Sequence, residues 1–286
     1  MHVATVSEIL RYPVKSMAGE SLSSVEIGTG GLPGDRSWAV RDEVSGGIRG
    51  AKRIAGLMQL GARFPEAPAP TGSSPAQILF PDGSVGATGD EDIAERVSKA
   101  VDHEVTLWPL LPPDALDHYR RGAPMHDDLD TELRAVFARL PDEPLPDVTT
   151  FPPEILEYES PPGTYFDAFP ILILSRASLG TMQQRAPESV FDVRRFRPNI
   201  VLADTGVGAD FPETEWAGRR IAIGEAVLVA ELACPRCVMT TRGFADLPND
   251  PKVMRALVQE TDGNLGLYAS VEKPGRVATG DTCELL

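Results

Sequence analysis

The chain has 286 residues, 42% hydrophobic and 24% charged, with a formal net charge of -15. That composition is typical of a globular protein with ample core, and the acidic balance excludes nucleic acid and anionic membrane as main partners, because both demand a basic face. Met1–Leu10 shows no basic region followed by an apolar core, and no apolar run approaches the ~20 residues that span a bilayer, so we expect a cytoplasmic protein without membrane contact.

In chain order, residues 3–10 alternate through Val3, Val6, Ile9 and Leu10 and predict a strand. The stretch Arg11-Tyr-Pro-Val-Lys-Ser-Met-Ala-Gly19 breaks it, because Pro13 removes a donor and forces extended or turn geometry around Tyr12. A second strand follows at 24–28, then a glycine-rich loop to Gly34. Asp35-Arg-Ser-Trp-Ala-Val-Arg41 predicts a third strand with Arg36, Trp38 and Val40 on one face. Helical spacing over 50–60 places Lys52 and Arg53 before Ile54, Leu57, Met58 and Leu60. A short strand at 78–80, a helix over 91–101 capped by Asp90, and a strand at 104–108 complete a small α/β unit.

From Pro109 to Pro162, proline and acid dominate. Apart from a helix over 129–139, the stretch predicts linker and surface loop. Beyond it, Ile171-Leu-Ile-Leu reads as a buried strand and 177–184 as a helix. Strands follow at 200–202, 220–223 and 226–233, then a helix started by Pro251 and strands over 265–271 and 276–285. Many short strands with few helices predict a β-barrel. The expected class is therefore α+β, mainly β, with a smaller α/β unit over 1–112, an acidic linker over 113–162 and the barrel over 163–286.

Three cysteines limit the chemistry. A cysteine-ligated [2Fe–2S] cluster needs four thiolates. A two-cysteine, two-histidine zinc site fails because His2, His103, His118 and His126 lack the required spacing to Cys234 and Cys237. The pair in Cys234-Pro-Arg-Cys237 ends an apolar strand, and Arg236 would favour a thiolate there. A redox dithiol would need a helix start after the pair, and Val238-Met-Thr-Thr241 is β-branched and uncapped. The chain's last histidine is His126, so histidine-assisted nucleophilic catalysis is not available from the C-terminal half. A soft metal held by thiolate remains, alongside a buried cysteine of no special role. Two further segments carry suitable chemistry. Lys15-Ser16 lies in a proline-bent loop suited to phosphate. In Phe196-Arg-Pro-Asn199, Arg197 and Asn199 could clasp a heterocycle or a phosphate. Together these outline a cation-lined pocket with one thiolate.

Tyr12-Pro-Val-Lys-Ser-Met-Ala-Gly19, Gly34-Asp-Arg-Ser-Trp-Ala-Val40, Leu172-Ile-Leu-Ser-Arg-Ala-Ser-Leu179, Arg195-Phe-Arg-Pro-Asn-Ile200, Cys234-Pro-Arg-Cys-Val-Met-Thr-Thr241, Leu267-Tyr-Ala-Ser-Val-Glu-Lys-Pro-Gly275 and Gly280-Asp281 occur in order along nearly the whole chain. As an ordered set they resemble the MOSC family. Within it they resemble the branch of mitochondrial amidoxime reducing components and their bacterial relatives. The resemblance implies a MOSC β-barrel preceded by a smaller MOSC-associated domain, and a molybdenum cofactor (molybdopterin) whose metal takes Cys237 as its protein ligand. Lys15, Ser16, Arg36, Arg197, Asn199, Arg236 and Tyr268 would contact that cofactor, with Asp167 and Ser175 carried over beside them. The implied activity is two-electron oxygen-atom transfer, reducing small N-hydroxylated substrates such as hydroxylamines and amidoximes. Electrons would come from a separate protein of ferredoxin, flavoprotein or cytochrome type. Two other roles fit the same family: a sulfur carrier using a Cys237 persulfide, and a non-catalytic binder of the cofactor. Where the family often continues Val-Asp-Pro-Asp-Thr-Gly after the threonines, this chain has Arg242-Gly-Phe-Ala-Asp-Leu-Pro248, a loop expected to border the site.

Overall fold

The computed structural model describes residues 1–151, 154–203 and 209–286; Pro152-Pro153, part of the expected linker, lies outside them. The first half contains β1 (His2–Arg11), β2 (Glu20–Leu22), β3 (Ser24–Ile27), β4 (Trp38–Asp42), β5 (Ile48–Arg49), β6 (Gly61–Arg63), β7 (Gln77–Leu79), β8 (Val85–Ala87), α1 (Ile93–Val101) and β9 (Val105–Pro109). Short helices α2 (Leu116–Tyr119), α3 (Leu129–Phe137) and α4 (Glu154–Glu157) follow. The second half runs β10 (Ile171–Ser175), α5 (Arg176–Arg185), α6 (Val193–Phe196), β11 (Ile200–Leu202), β12 (Arg220–Ile223), β13 (Ala226–Pro235), α7 (Lys252–Thr261), β14 (Asn264–Lys273), β15 (Gly275–Ala278) and β16 (Thr282–Leu285).

The largest sheet closes on itself. Its order is β11-β10-β14-β13-β12-β16-β1, with β1 pairing back onto β11 and β2 hanging on β1. This is a seven-stranded barrel in an α+β, mainly β molecule. Only β10 and β11 run parallel; the other pairs in the ring are antiparallel. Closure follows from the side-chain period of two. Ile9 faces Ile200, Ile200 faces Ile173, and Ile173 faces Leu267, so one inward layer is carried around the ring. All four are buried in one cluster that also takes Ile221, Leu228 and Cys283. Ala230 opposite Ala269 lets the wall narrow where larger residues would collide. Cys283 sits in this core, and burial pushes its thiol up to about 12, so it stays protonated and inert.

Two smaller sheets, β5-β4-β9 and β6-β7-β8, form the first half's own layer. Their core joins Val14, Met17, Val40, Leu57, Ile78 and Val97, and it also takes Met239, Phe244 and Leu247 from the second half. The two halves therefore share both a sheet and a core.

Local departures from expectation have physical causes. The segment 50–60 forms only a single 3₁₀ turn at Ala55–Gln59, within which Gly56 packs against Val101 too closely for any side chain. The third strand starts at Trp38, not Asp35, because Arg36 adopts a left-handed φ of 49°; Arg36 therefore does not share the strand face of Trp38 and Val40. The helix over 93–101 is preceded by Asp92, with no side-chain cap, rather than capped by Asp90; the Asp90 carboxylate accepts instead from the Ala87 N–H. The expected linker also makes core contacts: Tyr119 and Tyr158 pack with Tyr165, Ala39 and Ile48 into a core of their own. Among the described residues, no helix is long and apolar enough to cross a membrane.

Candidate functional site

The site lies where the last residues of β13 meet two loops of the first half. The β13–β14 register breaks between Ala230 and Ala233 and again between Ala233 and Pro235, releasing the strand from its ladder. Cys234 is buried inside, Arg236 N donates to Gly263 O at 2.8 Å, and Cys237 begins one 3₁₀ turn, Val238–Thr241. Thr240 closes that turn by donating both its N–H and its hydroxyl to the Cys237 carbonyl, at 3.1 and 3.0 Å. No α-helix follows the cysteine pair, as the β-branched residues after it predict, and the three cysteines are free.

The loops at 12–17 and 34–38 are zipped together. Tyr12 N donates to Asp35 Oδ1 at 2.8 Å, Arg36 N to Tyr12 O at 2.7 Å and Lys15 N to Trp38 O at 2.8 Å. Asp35 also takes the Arg36 guanidinium and Asn199 Nδ2, the latter at 3.1 Å. The Arg36 and Arg197 guanidiniums both lie over the Tyr12 ring, 4.9 and 4.2 Å from its centroid. Burial pushes the Tyr12 phenol up to about 12 despite the two arginines, so it remains a neutral platform.

Around the resulting cleft stand Lys15, Ser16, Arg36, Asp167, Arg197, Asn199, Arg236, Cys237 and Tyr268. Every residue singled out from the sequence is there except Ser175. Its hydroxyl accepts from Ser178 N at 3.0 Å as the cap of α5, and its N–H donates to Glu213. Ser175 thus acts in the fold, away from the cleft lining.

Three of the cleft residues, Ser16 (φ 71°), Arg36 (φ 49°) and Arg197 (φ 55°), have left-handed backbones. Each costs on the order of 1 kcal/mol for a residue with a Cβ. Ser16 is held there by accepting from Ala51 N at 2.9 Å, and a side chain at Gly50 would meet its Oγ at 2.6 Å.

Asp167 is the electrostatic centre. Its Oδ1 lies 2.9 Å from Lys15 Nζ and 3.3 Å from Lys52 Nζ. Burial would raise its pKa, but Lys15 and Lys52 hold it well below the carboxylate range. Burial lowers Lys15; it also opposes the charge on partly buried Lys52, which Asp167 nonetheless raises. Burial raises the Cys237 thiol more than Lys52 lowers it. Lys15 already gives its three protons to Ser160 Oγ, Tyr165 O and Asp167, at 3.3, 2.8 and 2.9 Å. Arg236 donates to Cys234 Sγ at 2.7 Å and to Phe196 O.

Two guanidinium nitrogens in this cleft, Arg197 Nη2 and Arg236 Nε, are buried with no partner among the described residues. Such an atom costs about 1–3 kcal/mol, so the cleft is built for an acceptor-rich, anionic guest. No group of three or more His, Cys, Asp or Glu that could hold a metal occurs among the described residues. A metal here would need most of its ligands from an organic carrier, with Cys237 as the single soft protein donor. A dithiolene-bearing, phosphorylated cofactor fits that donor set.

Sequence reasoning had not assigned Lys52, Tyr12 or Asp35 to the site. They act through contacts made only after folding. The loop 242–248 does not line the cleft: Phe244 and Leu247 are buried in the first half's core, and Arg195 donates to the carbonyls of Thr240, Arg242 and Pro248.

A family model for the MOSC N-terminal beta barrel domain matches residues 3–70, and one for the MOSC domain matches 161–284. Mitochondrial amidoxime reducing component 2 of Bos taurus is 28% identical across 98% of this chain and 82% of its own length. Mitochondrial amidoxime-reducing component 1 of Mus musculus is 33% identical across 43% of this chain and 38% of its own. Molybdenum cofactor sulfurase of Oryza sativa subsp. japonica is 24% identical across 82% of this chain and 28% of its own.

Proposed function

This chain belongs to the MOSC domain family, and on that premise we propose that it is a molybdenum cofactor-dependent reductase of N-hydroxylated compounds. The observation that carries the proposal is the unpartnered pair Arg197 Nη2 and Arg236 Nε beside a single accessible thiol. Cys237 would be the metal ligand, and Ser16, Arg36, Arg197, Asn199, Arg236 and Tyr268 would hold the cofactor's phosphate and pterin, with Lys15, its three protons already given, adding positive charge beside them. When bound, that cofactor supplies two-electron oxygen-atom transfer.

The chain's own residues supply position and charge. Cys234 accepts from Arg236 and so sets the plane of its guanidinium. Asn199, bonded to Asp35 and to the Leu172 N–H at 3.2 Å, fixes the loop that presents Arg36. Lys52, raised by Asp167, is a fixed positive charge near Cys237 and a poor proton donor at neutral pH. The overall conversion is R–NHOH + 2e⁻ + 2H⁺ → R–NH₂ + H₂O. The N–O bond breaks, the nitrogen gains a hydrogen, and the oxygen leaves as water. The electrons come from a separate donor protein.

The surroundings of half-buried Cys237 favour the ligand reading over a persulfide carrier. A raised thiol pKa opposes a free nucleophile, whereas coordination removes the proton outright. Cofactor-loaded protein given an artificial donor should convert a hydroxylamine to its amine. Loaded protein that leaves both hydroxylamines and amidoximes unchanged would sink the reductase reading.

A further inference from the structure

Cys237, Pro235, Asp167 and Tyr268 also border a second, larger cavity of about 320 Å³, within the size range of small-molecule sites. Its outer wall is α3 (Leu129–Phe137). The helix is started by Asp128, whose carboxylate accepts from Thr131 N at 2.8 Å. Leu129, Leu133, Val136 and Phe137 fall at i, i+4, i+7 and i+8, one continuous face. Yet no residue of α3 is buried: that face lines the cavity in place of a core, with Phe151 beside it. An apolar stripe facing a partly open cavity next to the proposed metal-ligand cysteine calls for an apolar occupant.

The polar floor says what that occupant cannot be. Glu132 is paired with Arg53, Glu159 with Arg121 at 2.7 Å and Arg49 at 4.0 Å, and Asp167 with Lys15 and Lys52. Each carboxylate bordering the cavity is thus already neutralised, and a cationic substituent would find no partner. Arg49 Nε, buried without a partner among the described residues, offers one donor to an acceptor atom.

We propose that this cavity receives the substrate's body and selects N-hydroxylated compounds carrying an uncharged aromatic or branched aliphatic group. The inference rests on the reductase reading for the word substrate, and on the cavity alone for the apolar preference. It also moves specificity from the loop at 242–248, which is packed away, to α3.

The test compares N-phenylhydroxylamine with N-methylhydroxylamine, which differ only in the apolar group. The loaded wild-type protein should show a higher kcat/KM for the phenyl compound. In Val136→Asp and Leu133→Ala, both on the unburied helix face, the phenyl-to-methyl ratio should fall about tenfold, equal to ~1.4 kcal/mol. In parallel, ligand-detected NMR on cofactor-free protein should show saturable binding of N-phenylhydroxylamine that both variants weaken. Reduction of both compounds with an unchanged ratio overturns the chamber and leaves the reductase intact. Binding that both variants weaken, without any reduction, supports the chamber and overturns the reductase. Absence of NMR binding with an unchanged ratio overturns the chamber.

Discussion

Ser16, Arg36 and Arg197 pay for their place with left-handed backbones, and Arg197 and Arg236 with unpartnered N–H groups. Strain and unmet donors concentrated in one cleft are the signature of a binding site preorganised before its guest arrives. The two cysteines of the motif then separate by role. Cys237→Ser should abolish activity and remove the molybdenum–thiolate spectroscopic features of loaded protein; unchanged activity would sink the ligand assignment. Cys234→Ser keeps an acceptor for Arg236 in place of sulfur, so activity should fall by only a few fold. Equal loss in both variants would contradict the division between them. That Cys237, Arg197 and Asn199 would gather around one cleft was expected from the ordered family-like motifs, not from any one segment, since each segment alone reads equally well as a buried cysteine or a solvated basic turn. The left-handed turns were not, since nothing in Ser16 or Arg36 favours positive φ; the loops that zip around Asp35 impose it.

At the scale of elements, periodicity located α1, α3, α7 and most barrel strands within a few residues, because α1 and α7 each bury one apolar face, α3 carries one without burying it, and the barrel strands are short apolar runs. The very short strands β2, β5, β6 and β8 escaped, since two or three residues carry no period. The segment 113–162 was only partly legible, for another reason. Its prolines suit the bends of a cover, and the tyrosines that anchor it meet only in space. Helix ends give a direct check. Asp102 follows α1 with φ 52°, exposed, and puts a carboxylate at the negative end of the helix. Asp102→Gly should relieve both penalties and stabilise the protein by about 1 kcal/mol in denaturant titration. A loss of stability would contradict this account of the helix end.

For the whole molecule, the division into a first unit and a barrel is incomplete. β1 closes the ring between β11 and β16, while Met239, Phe244 and Leu247 pack into the first half's core. A fragment of residues 163–286 should therefore fail to fold cooperatively, since its barrel lacks one stave and its edges stay open. A sharp thermal transition of that fragment alone would contradict the shared barrel. The barrel class was readable from strand density; that strand one belongs to it was not, because pairing across nearly 200 residues leaves no local trace. The same closure brings Lys15 and Arg36 to Arg197, Arg236 and Cys237, so a chain of net charge -15 presents an inward cationic cleft. The most direct measurement is the molybdenum-to-protein ratio of wild-type chain purified from a molybdenum-replete, cofactor-competent host. The account predicts equimolar molybdenum that is released when the Arg197 and Arg236 side chains are both truncated to alanine; a wild-type preparation without molybdenum would contradict it.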